Sequence, residues 1–157
     1  MKYTEFRSSI KSGDVIAYTH KGIKSWYDFK LWVVRLALRS EYTHVAVTWC
    51  VGNRVFLLEA VGSGVRIYPL SKEIPFYHLS GLGLTEEQLS FALEYIGGEY
   101  SYLEGIKALF NKNSADHHKW QCAKYVKQVL QLDCIDTPSE VVQCMLNRGS
   151  SMKWVTL

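Results

Sequence analysis

Thr43-His44-Val45-Ala46-Val47-Thr48-Trp49-Cys50, then Val51-Gly52-Asn53-Arg54, then Val55-Phe56-Leu57-Leu58-Glu59-Ala60-Val61, reads as a β-hairpin. Both arms are rich in β-branched and aromatic residues, and the second has valine at each end. Gly52 and Asn53 both tolerate positive φ. As the two central turn residues they pair Val51 with Arg54, and the register follows by counting. Ala46 falls opposite Glu59 and His44 opposite Val61. His44 and Glu59 are then diagonal neighbours on one face, their backbones ~7–8 Å apart. A slip of one residue would put them on opposite faces. A carboxylate in so apolar a strand needs a partner, and an imidazole is a good one. The plain alternative is a salt bridge from Glu59 to a lysine or arginine at the sheet edge, with His44 a satisfied strand histidine.

Upstream, Lys11-Ser12-Gly13-Asp14 is a turn signal, and Val15-Ile16-Ala17-Tyr18 is a short apolar strand. Gly22 precedes a helical run from about Ile23 to Leu38 whose apolar face is wide. Such a helix is either well buried or lines a lipid-like or aromatic ligand site; its aromatics Trp26, Tyr27, Phe29 and Trp32 are more often core than ligand platform. Downstream, Gly62-Ser63-Gly64 turns into a strand over Val65 to Tyr68, and Pro75 to Leu79 is one more. From Thr85 the pattern becomes helical. Thr85-Glu86-Glu87-Gln88 fits a capping box, with Leu89, Ala92, Leu93 and Ile96 as its stripe and Gly97-Gly98 as its end. Tyr100 to Phe110 reads as helical in whole or part. Thr137-Pro138-Ser139-Glu140 is a second capping box with proline at the first helical position. Its helix runs to about Leu146 and stops by Gly149, and Trp154-Val155-Thr156 closes as a terminal strand. A strand-rich half with one inserted helix, followed by a helix-rich half, is an α+β pattern.

The 157 residues fit one domain, 1–157, with room for a real core. An apolar fraction of 48% with 21% charged residues is that of a folded chain rather than a disordered one. The net charge of +3 is mild and the basic residues are scattered, which gives nucleic-acid binding little support. No stretch approaches the ~18 uninterrupted apolar residues of a membrane span. Met1 to Arg7 lacks the apolar core of a signal peptide, so a reducing cytoplasm is the expected setting. The four cysteines, Cys50, Cys122, Cys134 and Cys144, form no C-x-x-C pair, and free thiols are expected.

In Trp120-Gln121-Cys122-Ala123-Lys124-Tyr125-Val126-Lys127-Gln128-Val129-Leu130, the residues Val126, Val129 and Leu130 recur at helical spacing. Cys122 is thereby placed in the first turn, where unpaired N–H groups and the positive end of the dipole favour a thiolate. A buried core cysteine is the plain reading. The sharper one makes Cys122 a nucleophile, His44 its base and Glu59 the group that holds the imidazole in the right tautomer.

Gly13-Asp14-Val15-Ile16, Tyr42-Thr43-His44-Val45-Ala46-Val47, Leu58-Glu59-Ala60 and Gln121-Cys122-Ala123-Lys124-Tyr125-Val126, in that order, resemble the circularly permuted NlpC/P60 (papain-like) superfamily. The branch most resembled is the YaeF/YiiX-type cysteine amidases, with lecithin:retinol acyltransferase-like proteins more distant. The resemblance spans most of the chain. It implies a small antiparallel sheet or half-barrel packed against a helix that carries the nucleophile. It also implies Cys122, His44 and Glu59 as nucleophile, base and orienting acid, and cleavage or transfer of amide and ester acyl groups of peptidoglycan peptides or lipids. Two departures stand out: Lys124, where relatives commonly carry a small or acidic residue, and the long apolar helix before the histidine strand.

The expected chemistry is cleavage of an amide bond, in a peptidoglycan peptide or an N-acyl amide, through a thioester. The oxyanion would be met by the Cys122 backbone N–H and a second donor. Gln121 and Tyr18 are the two candidates, and the sequence leaves both open. No cofactor is called for. His117-His118 with Cys122 match no common zinc spacing, and His20 and His78 show no constellation. Cys50, Cys134 and Cys144 fit ordinary packing. The substrate would be a small peptide, an amide or a lipid-like molecule. A lipid-directed acyltransferase or thioesterase and an idle binding module of the same fold are the competing readings. A bacterial or bacteriophage setting would suit a cell-wall target; the sequence does not give the oligomeric state.

Overall fold

The computed structural model describes residues 1–19, 41–99 and 120–157. The helices expected over Ile23–Leu38 and Tyr100–Phe110, and the histidines His20, His117 and His118, lie outside the described residues.

Six strands form one antiparallel sheet: β1 (Val15–Tyr18), β2 (His44–Val51), β3 (Arg54–Val61), β4 (Gly64–Pro69), β5 (Phe76–Leu79) and β6 (Met152–Val155). Their order across the sheet is β4-β3-β2-β1-β5-β6. The described helices are a one-turn α1 (Tyr3–Phe6), α2 (Glu86–Glu94), α3 (Cys122–Leu130) and α4 (Pro138–Asn147). The α+β pattern is thus realised, and none of these helices is long and apolar enough to cross a membrane.

The central hairpin has the register set by its turn. Val51 pairs with Arg54 and Val47 with Leu58, and Gly52 has the positive φ (+55°) that such a turn demands. Strand alternation then sorts the core into two clusters. Val15, Ala17, Val45, Val47, Leu58 and Ala60 share one with Ala123, Tyr125, Val126 and Val129 of α3. Ile16, Ala46, Leu57 and Phe76 share the other with Tyr3, Phe6 and Ile10 of the N-terminal segment. Both faces of the sheet are therefore covered, and the long apolar run of β3 is explained: it faces a core on each side.

Helix α3 is amphipathic and buries Val126, Val129 and Leu130, at roughly 1.5–3 kcal/mol for each such side chain. The Tyr125 hydroxyl donates to the Ala92 carbonyl at 2.7 Å, tying α3 to α2. Trp120 is buried at the head of α3 among Tyr95, Phe91 and Tyr125. Lys124 is buried too, its ammonium 5.7 Å from the centre of the Trp120 ring.

The Thr85 capping box forms in full: the Thr85 hydroxyl accepts from the Gln88 N–H at 3.1 Å, and Gln88 Oε1 accepts from the Thr85 N–H at 3.0 Å. Thr137 caps α4 through its hydroxyl, with Pro138 opening the helix. Helix α2 stops at Glu94, so Ile96, expected on its apolar stripe, falls in the turn and is exposed. Gly97, at φ +86°, reverses the chain there.

Candidate active site

Residue by residue, the site assembles where the start of β2 meets the start of α3. His44 is the first residue of β2, and on β3 Glu59 directly follows Leu58, the partner of Val47. Their side chains meet: His44 Nε2 is 2.7 Å from Glu59 Oε2. The other Glu59 oxygen, Oε1, accepts from Arg66 on β4, at 2.8 Å from Nε and 2.7 Å from a terminal nitrogen. Both partners foreseen for Glu59, an imidazole and a sheet cation, are thus present together. The carboxylate is 2% exposed. Burial by itself raises its pKa, but the contacts with His44 and then Arg66 outweigh that and hold Glu59 below the ordinary value.

With Nε2 committed to Glu59, Nδ1 is the ring nitrogen left for a second partner. The Cys122 thiol is the other group that interacts with the His44 side chain. Cys122 is the first residue of α3, with Gln121 as N-cap in extended geometry. The sulfur also receives the backbone N–H groups of Val45 and Ala123, the latter one of the unpaired donors of the helix start. Burial alone would raise the thiol pKa. The hydrogen bond and charge of His44, helped by the two N–H groups, lower it instead. For His44, burial disfavours the charged ring, yet Cys122 and Glu59 together raise it to about 10. Both shifts favour a thiolate beside an imidazolium.

The other thiols go the opposite way. Burial pushes Cys50 up, and it pushes Cys134 up to about 12, with Cys144 beside it. Cys50 donates to the Ile10 carbonyl at 3.4 Å.

The two candidate oxyanion donors have different surroundings. The side-chain amide of Gln121 donates to the Asp136 carbonyl. Tyr18 stacks on the His44 ring, centroids 5.8 Å apart, and its buried hydroxyl has no hydrogen-bond partner among the described residues. Burial raises the Tyr18 pKa, so the hydroxyl keeps its proton and remains a donor. A cavity of about 250 Å³ is lined by Tyr18, Thr19, His44, Glu59, Val61, Arg66 and Glu73. The His44 side chain, 23% exposed, is open to it.

His78 departs from expectation. Its Nε2 is 2.7 Å from Asp14 Oδ2, and both residues are sealed, at 4% and 3% exposure. Asp14 further accepts the N–H groups of Lys11 at 2.8 Å and Gly81 at 2.7 Å. The close approach requires glycine: a Cβ on Gly81 would lie 1.9 Å from the Gly13 carbonyl oxygen. These partners are 64 residues apart in the chain and meet because β5 pairs with β1.

No family model matches this chain, and no curated protein matches it. Among solved structures, metalloprotein yiiX from Escherichia coli O157:H7, DUF1105, is similar, with a TM-score of 0.57 and 23% sequence identity. The match covers 77% of this chain and 64% of that one. The likeness is one of fold. It agrees with the YaeF/YiiX resemblance of the sequence motifs at that level. The chain spans less than two thirds of the length of that neighbour.

Proposed function

We propose that this chain is a cysteine-dependent hydrolase of amide bonds, built on a circularly permuted papain-like scaffold, with Cys122, His44 and Glu59 as its triad. One observation carries the reading: a thiol at a helix start, an imidazole and a buried carboxylate are linked in that order. That order of groups supports acyl transfer.

In this reading the resting site is a thiolate–imidazolium pair. Cys122 Sγ attacks the carbonyl carbon of the amide and the C=O π electrons move onto oxygen. The Cys122 backbone N–H and the Tyr18 hydroxyl meet that oxyanion; Gln121 is the weaker candidate because its amide is held by Asp136. Collapse expels the amine, which takes the imidazolium proton, and leaves a thioester. His44, now neutral, takes a proton from water as the water attacks the thioester. The acid departs, and the thiolate and imidazolium are restored. Glu59 keeps the ring oriented and stabilises its charge throughout.

The structural neighbour is described as a metalloprotein. Among the described residues no group of His, Cys, Asp and Glu is arranged to hold a metal ion, and Glu59 is already shared between a ring and a guanidinium. The proposed reaction routes no step through a metal.

The test is selective alkylation. Iodoacetamide at neutral pH should label Cys122 ahead of Cys134, and His44→Ala should abolish that preference. Labelling of Cys122 at the rate of Cys134 would refute the thiolate. Peptidoglycan peptides and short N-acyl amides, assayed side by side against Cys122→Ala, then identify the substrate class. Tyr18→Phe should lower turnover of a cleaved amide by about 10²-fold.

A further inference from the structure

We propose that Arg66 is a positioning residue for the triad: its two-nitrogen grip on Glu59 Oε1 aims Oε2 at His44 and thereby sets the reactivity of Cys122. This inference rests on the proposed thiolate–imidazolium chemistry and deepens it.

The geometry separates the two carboxylate oxygens by task. Oε1 receives Arg66 Nε at 2.8 Å and a terminal nitrogen at 2.7 Å, while Oε2 is left to the ring at 2.7 Å. The terminal torsion of a glutamate is broad and two-fold, so a carboxylate held at one point only can rotate away from a ring. A planar guanidinium with fixed donors removes that freedom at one oxygen, and the other is aimed as a consequence. Arg66 is itself fixed twice. It is the direct cross-strand partner of Glu59 on β4, and its guanidinium carbon lies 4.2 Å from the centre of the Tyr68 ring.

The arrangement differs from an ordinary surface ion pair. Arg66 is partly exposed at the cavity wall, whereas Glu59 is only 2% exposed there. Without the guanidinium, Oε1 would be a buried acceptor with no donor, and the carboxylate would tend to turn or take up a proton. Either change withdraws support from the imidazolium, and the Cys122 thiol regains its proton at mildly acidic pH.

The experiment reads the iodoacetamide alkylation rate of Cys122, by peptide mass mapping, at pH 6 and pH 9. The ratio of the two rates reports the thiolate population at pH 6, which a merely structural role for Arg66 would not move in a folded variant. Arg66→Met, which removes every donor, should lower the ratio about ten-fold. Arg66→Lys restores charge but only a single nitrogen, and should fall between Met and wild type. A folded Arg66→Met protein with the wild-type ratio overturns the inference. If Arg66→Met does not fold, Arg66→Lys decides: a reduced ratio supports the grip, and a wild-type ratio overturns it. Failure of the underlying reading looks different: the wild-type protein would show no pH 6 reactivity at Cys122, or His44→Ala would keep it, and both proposals would fall together.

Discussion

Two histidines of this sheet each set Nε2 2.7 Å from a carboxylate, and the resemblance ends there. In the His78–Asp14 pair both side chains are sealed, the Phe6 and His78 rings stand nearly perpendicular with centroids 4.8 Å apart, and Nδ1 has no partner among the described residues. Asp14 spends its remaining capacity on the backbone of Lys11 and Gly81, pinning the start of β1 to the end of β5. In the His44–Glu59 pair the ring is partly exposed to a cavity and its second nitrogen is left for a thiol. The lesson is that an imidazole–carboxylate contact has no chemistry of its own. What faces the other nitrogen, and whether solvent or substrate can reach it, separates a brace from a reactive centre.

The comparison breaks most visibly on stability. Asp14→Ala leaves a buried imidazole and two backbone donors without their acceptor, and should cost about 3–5 kcal/mol. For a chain of this size that is a fall in melting temperature on the order of 10 °C, read by thermal denaturation. At a temperature where the variant is folded, Cys122 should alkylate as in the wild type. Loss of that reactivity would mean the two regions are not separable.

The complementary change is His44→Ala, which should act on reactivity before stability. Without the imidazolium, the thiol should return to an ordinary or raised pKa, and its alkylation rate at pH 6 should fall by about 10²-fold. Glu59 retains Arg66, so the melting temperature should fall less than in Asp14→Ala. A larger fall in His44→Ala would make His44 the brace and reverse the assignment.

The contrast also marks what was legible in the sequence. The contact between His44 and Glu59 follows from one local turn, Gly52-Asn53, because hairpin register is countable and parity fixes the face. The place of Cys122 at a helix start follows from local periodicity. Arg66 was only half visible: a cation for Glu59 was foreseeable, but the turn at Gly62-Ser63-Gly64 did not fix which residue it would be. Asp14 and His78 were invisible as a pair because their meeting depends on β1 and β5 being sheet neighbours. No turn joins those strands, and no local rule orders them. The contact of the Gln121 amide with the Asp136 carbonyl was invisible for the same reason, since Asp136 reaches it from the loop beyond α3.

The smallest predicted effect is a slope. An unfolded histidine titrates near 6.5 and an unfolded cysteine near 9.0. His44 is raised on folding to about 10, so its contribution is complete below pH 6.5 and lost as pH rises toward 10. Cys122 is lowered, so its contribution is complete above pH 9.0 and lost as pH falls toward its folded value. In the proposed thiolate–imidazolium state the two cancel between 6.5 and 9.0: the pair then holds one proton in both states, on sulfur when unfolded and on the ring when folded. Cys122→Ala removes this compensation. Folded His44, still against Glu59, then binds a proton that the unfolded ring has released. Stability of the variant relative to wild type should therefore decline as pH rises above 6.5, by at most about 1.4 kcal/mol per pH unit, and level off at the remaining His44 pKa. Urea denaturation of both proteins from pH 6 to 9 measures the difference directly, with all other titrating groups cancelling. Parallel curves would mean that thiol and imidazole do not share a proton, and the distinction between the two histidines would lose its chemical basis.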